Sequence, residues 1–198
     1  MIDVRTFTGP NVAPHLDAVA ALRIAVFHDW PYLYAGDREY EKKYLATYAQ
    51  SPESLFVLAF DGERVIGAST GIPLTDETAA FQKPFLDRRI ALPDVFYFGE
   101  SVLLREYRGH GLGHRFFDER EGYARRLGRF AMTAFCAVER DAADPRCPDG
   151  FRGNDVFWNK RGYVRQDDMF CQLEWQEIGH DMPSCHRLRF WLRPLDKR

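Results

Sequence analysis

Glu100 stands in an otherwise apolar run rich in β-formers, VFYFGESVLL from Val95 to Leu104, and a glycine-rich stretch follows it closely. A carboxylate in such a strand is costly unless a polar cavity receives it. Set beside an amine, it can take up a proton as a general base. The glycine stretch is Arg108-Gly109-His110-Gly111-Leu112-Gly113, and a helical pattern opens directly out of it. A strand that ends in glycines and runs into a helix turns several backbone N–H groups towards one point. That point lies at the positive end of the helix dipole and suits a phosphate or pyrophosphate. A Walker loop needs Lys-Ser/Thr after its last glycine, but His114-Arg115 follow Gly113. The dinucleotide fingerprint spaces its glycines G-x-G-x-x-G, and Phe116 stands where its third would fall. A phosphorylated cofactor of another kind is expected. Taken alone, the hexapeptide also fits a plain glycine-softened turn.

A second segment narrows the choice. Asn154-Asp155-Val156-Phe157-Trp158-Asn159-Lys160-Arg161-Gly162-Tyr163 reads as a short helix closed by Gly162 and followed by an extended run. Arg108-x-x-Gly111-x-Gly113 resembles the acyl-CoA pyrophosphate loop of the GNAT superfamily of N-acetyltransferases, Gln/Arg-x-x-Gly-x-Gly/Ala. Trp158-x-Lys160-x-Gly162-Tyr163 resembles that family's later motif. With the flanking strands, the resemblance spans nearly the whole chain. It implies an α/β GNAT (acyl-CoA N-acyltransferase) fold, a mixed and mostly antiparallel central sheet of about seven strands flanked by helices. It also implies acetyl-CoA as cofactor, and direct attack on it, in a ternary complex, by a primary amine of a small molecule or peptide. The alternative is a module that binds acyl-CoA as a sensor without turnover.

The resemblance assigns roles residue by residue. Amides of Gly109, His110, Gly111, Leu112, Gly113 and His114 would face the pyrophosphate, with Arg108 as a cation beside it. The end of the fourth strand, Val102-Leu103-Leu104, would line the pantetheine. There an N–H near Val102 would face the thioester, and Val102 and Leu104 would pair with the pantetheine amides. Asn154, Trp158 and Lys160 would complete the cofactor side. Glu100 would be the base, which the reaction needs because an amine with a pKa near ~10 is almost wholly protonated at neutral pH. A salt-bridged or edge-facing glutamate is the competing reading. Trp158 stands where many relatives carry Tyr to protonate the departing thiolate. Its indole donates a hydrogen bond but is no acid, so its catalytic part would be to wall the channel and hydrogen-bond the sulfur. Tyr97, Tyr163 and Cys136 are the substitutes to weigh, with Cys136 read as a buried structural thiol.

These groups must be positioned by ordinary soluble-protein elements. The chain has 198 residues, read as one domain over 1–198, with 45% hydrophobic residues and a net charge of -2. That balance supplies no global attraction to nucleic acid or an anionic membrane. The basic run Arg187, Arg189, Arg193, Lys197 and Arg198 reads as a solvated face. No apolar run approaches a membrane span and no leader pattern opens the chain, so the expectation is cytoplasmic. The four cysteines lack C-x-x-C spacing and are expected as reduced thiols. His180, Cys185 and His186 read as a surface turn, and no metal is expected. The pattern predicts strands near 2–8, 55–60, 64–70, 95–104, 129–139, 169–176 and 187–195, with Asp61-Gly62 as a hairpin turn. Helices are predicted over 12–26, up to about Tyr48, over 111–127 and over 154–161. The loops 27–34, 72–94 and 140–153 are expected to border the acceptor, with Trp30, Tyr32 and Tyr34 read as core and interface residues, the alternative being that they stack on an aromatic or cationic amine. Phe190-Trp191-Leu192 is expected at a sheet edge, where pairing would make a homodimer.

Overall fold

Leu55–Asp61 (β2) turns Phe56, Leu58 and Phe60 to one face and Leu55, Val57 and Ala59 to the other, and all six are buried. A strand apolar on both sides belongs inside a sheet covered on both faces. The computed structural model describes residues 2–141 and 143–195, so Lys197 and Arg198 of the basic run lie outside the described residues. It shows β2 within a seven-stranded sheet with β1 Ile2–Thr8, β3 Arg64–Pro73, β4 Val95–Leu103, β5 Met132–Val138, β6 Val164–Trp175 and β7 Ser184–Pro194. The strand order is β1-β2-β3-β4-β5-β7-β6, and the β4–β5 pair is parallel while the other pairs are antiparallel.

Helices α1 Leu16–Phe27, α2 Arg38–Gln50 and α3 Ala79–Asp87 precede β4, α4 Leu112–Leu127 links β4 to β5, and α5 Asp155–Lys160 precedes β6. Val19 of α1, Leu45 and Tyr48 of α2 and Phe81 and Phe85 of α3 share a core with Leu58, Tyr97 and Phe190. Phe116, Phe117 and Ala124 of α4 fill a second core with Val57, Phe96, Phe98 and Phe135. Each such valine, leucine or phenylalanine side chain contributes about 1.5–3 kcal/mol on burial. The α1 helix begins later than Val12, because Pro14 has no N–H to give and Gly9–His15 winds as a 3-10 helix. The α2 start is fixed by Asp37, whose carboxylate accepts the N–H groups of Glu39 at 2.9 Å and Tyr40 at 3.1 Å.

One expectation is overturned here. Phe190-Trp191-Leu192 does not lie at an edge, since β7 pairs with β5 on one side and with β6 on the other. The last two strands fold back so that the final one inserts, which leaves β6 outermost and removes the basis for edge pairing at this segment. No helix among the described residues is long and apolar enough to cross a membrane.

Candidate active site

The sheet opens beside Glu100. Pairing between β4 and β5 covers Val95–Tyr97 against Met132–Ala134, after which β4 follows β3 and β5 follows β7. A register shift between Ser69 and Gly71 places a bulge opposite Thr70, at Gly99-Glu100. The Glu100 N–H reaches Thr70 Oγ1 at 3.3 Å, and the Leu104 N–H donates to the Ile66 carbonyl at 3.0 Å. Backbone groups alternate sides along a strand, so Val102 also turns towards β3 while Ser101 and Leu103 turn towards the opening. This corrects the expectation for Val102 and Leu104. Both are committed to the β3 side, and the Leu104 carbonyl is further taken by the Tyr107 N–H at 3.0 Å.

Leu103 is tied to the glycine loop, for its carbonyl accepts Arg108 Nε at 3.1 Å. Gly109 and Gly111 have φ of +83° and +81°, in the left-handed region that side chains disfavour, and a Cβ at either would meet nothing. Gly111 is the N-cap of α4 and offers no side-chain cap, and no acidic residue stands in the first turn. The first intrahelical bond in the loop runs from Arg115 to Gly111, so the N–H groups of Leu112, Gly113 and His114 face outward from the helix end. A Cβ on Gly113 would lie 3.7 Å from Phe157, the residue by which α5 closes on the loop. His110 Nδ1 lies 3.3 Å from the Tyr107 carbonyl, and His114 packs edge-on to Phe157 at 4.9 Å. Asn154 is the N-cap of α5 and Lys160 its exposed last residue.

Glu100 lines a cavity of about 80 Å³ on the α1–α2 face. Arg23 of α1 bridges two carboxylates there, Glu41 of α2 through Nε and Glu100 Oε2 through Nη1 at 2.6 Å. Tyr44 Oη lies 3.4 Å from the same Glu100 oxygen and 3.1 Å from Tyr48 Oη, and Tyr48 donates to buried Glu77 at 2.6 Å. Glu100 Oε1 is buried with no hydrogen-bond partner. Burial raises the Glu100 pKa above the ordinary carboxylate value, with Arg23 opposing and Glu41 reinforcing the rise. Burial raises Glu77 likewise.

On the other face, Arg120 of α4 is buried beneath the bulge. It donates to the carbonyls of Thr70 at 3.2 Å and Glu100 at 3.1 Å and to Ser101 Oγ at 2.8 Å. Burial brings its pKa down to about 10. A Cβ at Gly99 would stand 2.6 Å from Thr70 Oγ1 and closer still to Tyr48 Oη. Gly99→Ala is therefore expected to lower stability by about 1–3 kcal/mol, read as a lower urea midpoint with an unchanged slope.

Trp158 does not reach the cavity. Its ring packs against Phe135 at 5.0 Å and Trp191 at 5.1 Å, in the α4-side core. Tyr163 is also on that side, with Oη 2.9 Å from Thr133 Oγ1. Tyr97 and Cys136 do line the cavity, Oη to Sγ at 3.1 Å, and burial raises both pKa values well above the ordinary ones. A thiol held in that state is a poor nucleophile. Tyr32 and Tyr34, read as core, stand in the cavity wall, whereas Trp30 stacks edge-on with Phe151. The loop 140–153 acts from outside: Arg140 donates to the Tyr32 carbonyl at 2.9 Å and, with Arg146, pairs with Glu177.

A family model described as Acetyltransferase (GNAT) family matches residues 22–145. The chain belongs to the GNAT acetyltransferase family. The matched span holds Arg23, Glu100 and the glycine loop, and the family takes acetyl-CoA as cofactor. Solved structures share the GNAT fold at low identity. An acetyltransferase of Streptococcus pneumoniae is 14% identical with a TM-score of 0.59, covering 99% of this chain and 100% of that one. The yncA protein of Salmonella typhimurium, solved with its cofactor acetyl-CoA, is 15% identical with a TM-score of 0.57, covering 100% and 95%. A ribosomal-protein-alanine N-acetyltransferase of Brucella melitensis is 15% identical with a TM-score of 0.61, covering 98% and 99%. No curated protein sequence matches the chain.

Several residues in or behind the cavity wall are not singled out by the motifs. Arg23 sits in LDAVAALRIAVF among apolar residues, where a charge on the buried stripe was the clue. Glu41, Tyr44, Leu45 and Tyr48 follow i, i+3, i+4, i+7 spacing, which marks one helix face and places Glu41 on it.

Proposed function

We propose that the protein is an acetyl-CoA-dependent N-acetyltransferase in which a primary amine attacks directly, within a ternary complex, and Glu100 is the base. The observation that carries this reading is the strand divergence, with an uncapped helix end at its mouth and a buried carboxylate with an unmet acceptor oxygen at its side. The residues fit the cofactor. The N–H groups of Leu112, Gly113 and His114 would hold the pyrophosphate, the bare Gly109 and Gly111 would let it approach, and Arg108 would flank it. The backbone of Ser101 and Leu103, rather than that of Val102 and Leu104, would line the pantetheine, with Trp158, Asn154 and Lys160 on its far side. When bound, acetyl-CoA would supply an acetyl thioester as the acyl donor and the CoA thiolate as leaving group, which would carry away the second proton that the amine loses.

The protein's own groups do the rest. Glu100 accepts a proton from the substrate ammonium at the cavity, leaving a neutral amine. Arg23 holds the second oxygen of that carboxylate in place, so the unpartnered oxygen is the one left to accept the proton. An N–H of Ser101 or Leu103 is aimed where the carbonyl oxygen gains charge, a donor worth on the order of 100-fold in rate. The buried cation of Arg120, hydrogen-bonded to Ser101, reinforces that side. The tyrosines and Trp175 keep bulk water from the amine.

The reading takes residues 1–198 as one acetyltransferase domain and places it in the cytoplasm, in keeping with free thiols at Cys136, Cys147, Cys171 and Cys185. Calorimetric titration of acetyl-CoA tests the cofactor half. Wild type binds one equivalent, and Gly111→Trp binds none, because an indole then occupies the open space before the helix end. Binding of acetyl-CoA with no CoA release across a broad amine panel would favour a sensor instead.

A further inference from the structure

From charge and shape in the cavity beside Glu100, we infer that the acceptor is a carboxylate-free arylalkylamine, a primary ammonium on a short chain bearing an aromatic ring. The inference deepens the N-acetyltransferase reading and rests on it.

Charge comes first. Two carboxylates, Glu41 and Glu100, and one guanidinium, Arg23, stand in the cavity wall. Arg23 is used up: it bridges both carboxylates, and its guanidinium lies 4.3 Å from the Tyr44 ring centroid and 5.0 Å from that of Phe27. A substrate carboxylate would find no cation to receive it and would meet the excess negative charge, to which Glu77 behind Tyr48 adds. Like charges brought together in this way cost several kcal/mol. The excess suits a single ammonium. The atom that would take it is Glu100 Oε1, buried and unpartnered, and satisfying such an atom is favourable in itself.

Shape and surface chemistry follow. Tyr34, Tyr40 and Tyr44 climb one side, Tyr34 edge-on to Tyr40 and Tyr40 nearly parallel to Tyr44 at 11° and 6.5 Å. Tyr40 is 44% exposed and stands at the mouth. Tyr32 and Trp175, 5.8 Å apart, form another part of the wall. The cavity's volume of about 80 Å³ is smaller than the roughly 150 Å³ hollow that holds benzene. It takes the amine and a two-carbon chain, and the ring then lies among the aromatics of the mouth, where aromatic pairs gain about 0.5–1.5 kcal/mol. A peptide amine fits poorly. The segment at the rim is clamped by Arg140 on the Tyr32 carbonyl and by Trp175 Nε1 on the same oxygen at 3.1 Å. The neighbouring carbonyls are taken as well, that of Pro31 by Arg140 Nε and that of Leu33 by the Ile178 N–H at 2.8 Å, so a peptide backbone finds no free acceptor at Pro31, Tyr32 or Leu33.

The test compares 2-phenylethylamine with phenylalanine, spermidine and an alanine-initiated peptide, by CoA release and by calorimetry on the protein saturated with CoA. The expected result is a kcat/KM for 2-phenylethylamine at least about 100-fold above the other three. Tyr40→Ala should raise its Kd roughly 5-fold, with Tyr40→Phe restoring it. Equal or better turnover of phenylalanine, spermidine or the peptide overturns the inference. If no amine turns over although acetyl-CoA binds, the N-acetyltransferase reading falls, and calorimetry decides the present one. Selective binding of 2-phenylethylamine over phenylalanine then upholds the cavity assignment, and its absence overturns it.

Discussion

Glu100→Gln is expected to lower kcat by about 10²–10⁴-fold, the range that a positioned general base contributes. Acetyl-CoA affinity should stay within about twofold of wild type, since only an interaction made on the way to the transition state is removed. The substitution is nearly isosteric, and its amide can still accept from Arg23 and Tyr44, so the helices that Arg23 joins stay in place. Loss of the charge is therefore separated from loss of structure. The pH profile supplies a second readout. Burial raises the Glu100 pKa, so the acid limb of kcat/KM in wild type lies above the ordinary carboxylate range, with activity rising as the group loses its proton. In the variant, residual turnover should lose that limb and follow the ionisation of the free amine alone. Unchanged turnover in Glu100→Gln would remove this residue from the mechanism.

How far the chain disclosed this site depends on the kind of signal. The glycine loop was legible because its demand is local: left-handed φ at Gly109 and Gly111 needs residues without side chains, and such residues are visible in one dimension. Glu100 was legible because a charge interrupts an apolar strand. The sheet order was not, since nothing in Ser184–Pro194 says that it will insert between β5 and β6. The register at Val102 failed for a related reason. A one-residue bulge at Gly99-Glu100 exchanges which amides face the opening, and it depends on Thr70 and Tyr48 crowding Gly99 from other elements. Arg23 and Glu41 stand 18 residues apart in sequence, on different helices, and become meaningful only when packing brings both beside Glu100. Trp158 shows the converse. A motif position is visible in sequence, yet its ring packs on Phe135 and Trp191 and stands outside the acceptor cavity.

Arg23→Met is the substitution with the largest expected effect on stability. A buried ion group replaced wholesale by apolar side chains is often neutral, because desolvation offsets the mutual attraction. Removing only the shared cation is different. It strands Glu41 and Glu100 together in a region where their side chains are 1% and 3% exposed. The expected loss is about 3–5 kcal/mol at neutral pH, read from urea unfolding. Its sign with pH follows from the stranded charges. Without Arg23, which opposes the rise in wild type, burial and the neighbouring Glu41 charge hold the folded-state pKa of Glu100 further above that of the unfolded chain, near ~4.3. The folded variant then binds more protons than the unfolded chain, and its deficit against wild type shrinks as the pH falls through that raised value. A deficit that stayed constant between neutral and mildly acidic pH would contradict the stranded-carboxylate account. Adding Glu41→Gln to Arg23→Met should recover a large part of the loss at neutral pH without restoring activity, because one buried charge is gone while Glu100 has still lost the group that orients it. Arg23 is then separated from a purely structural residue. Stability returns when the excess charge is relieved, and turnover returns only with a guanidinium to present the Glu100 carboxylate.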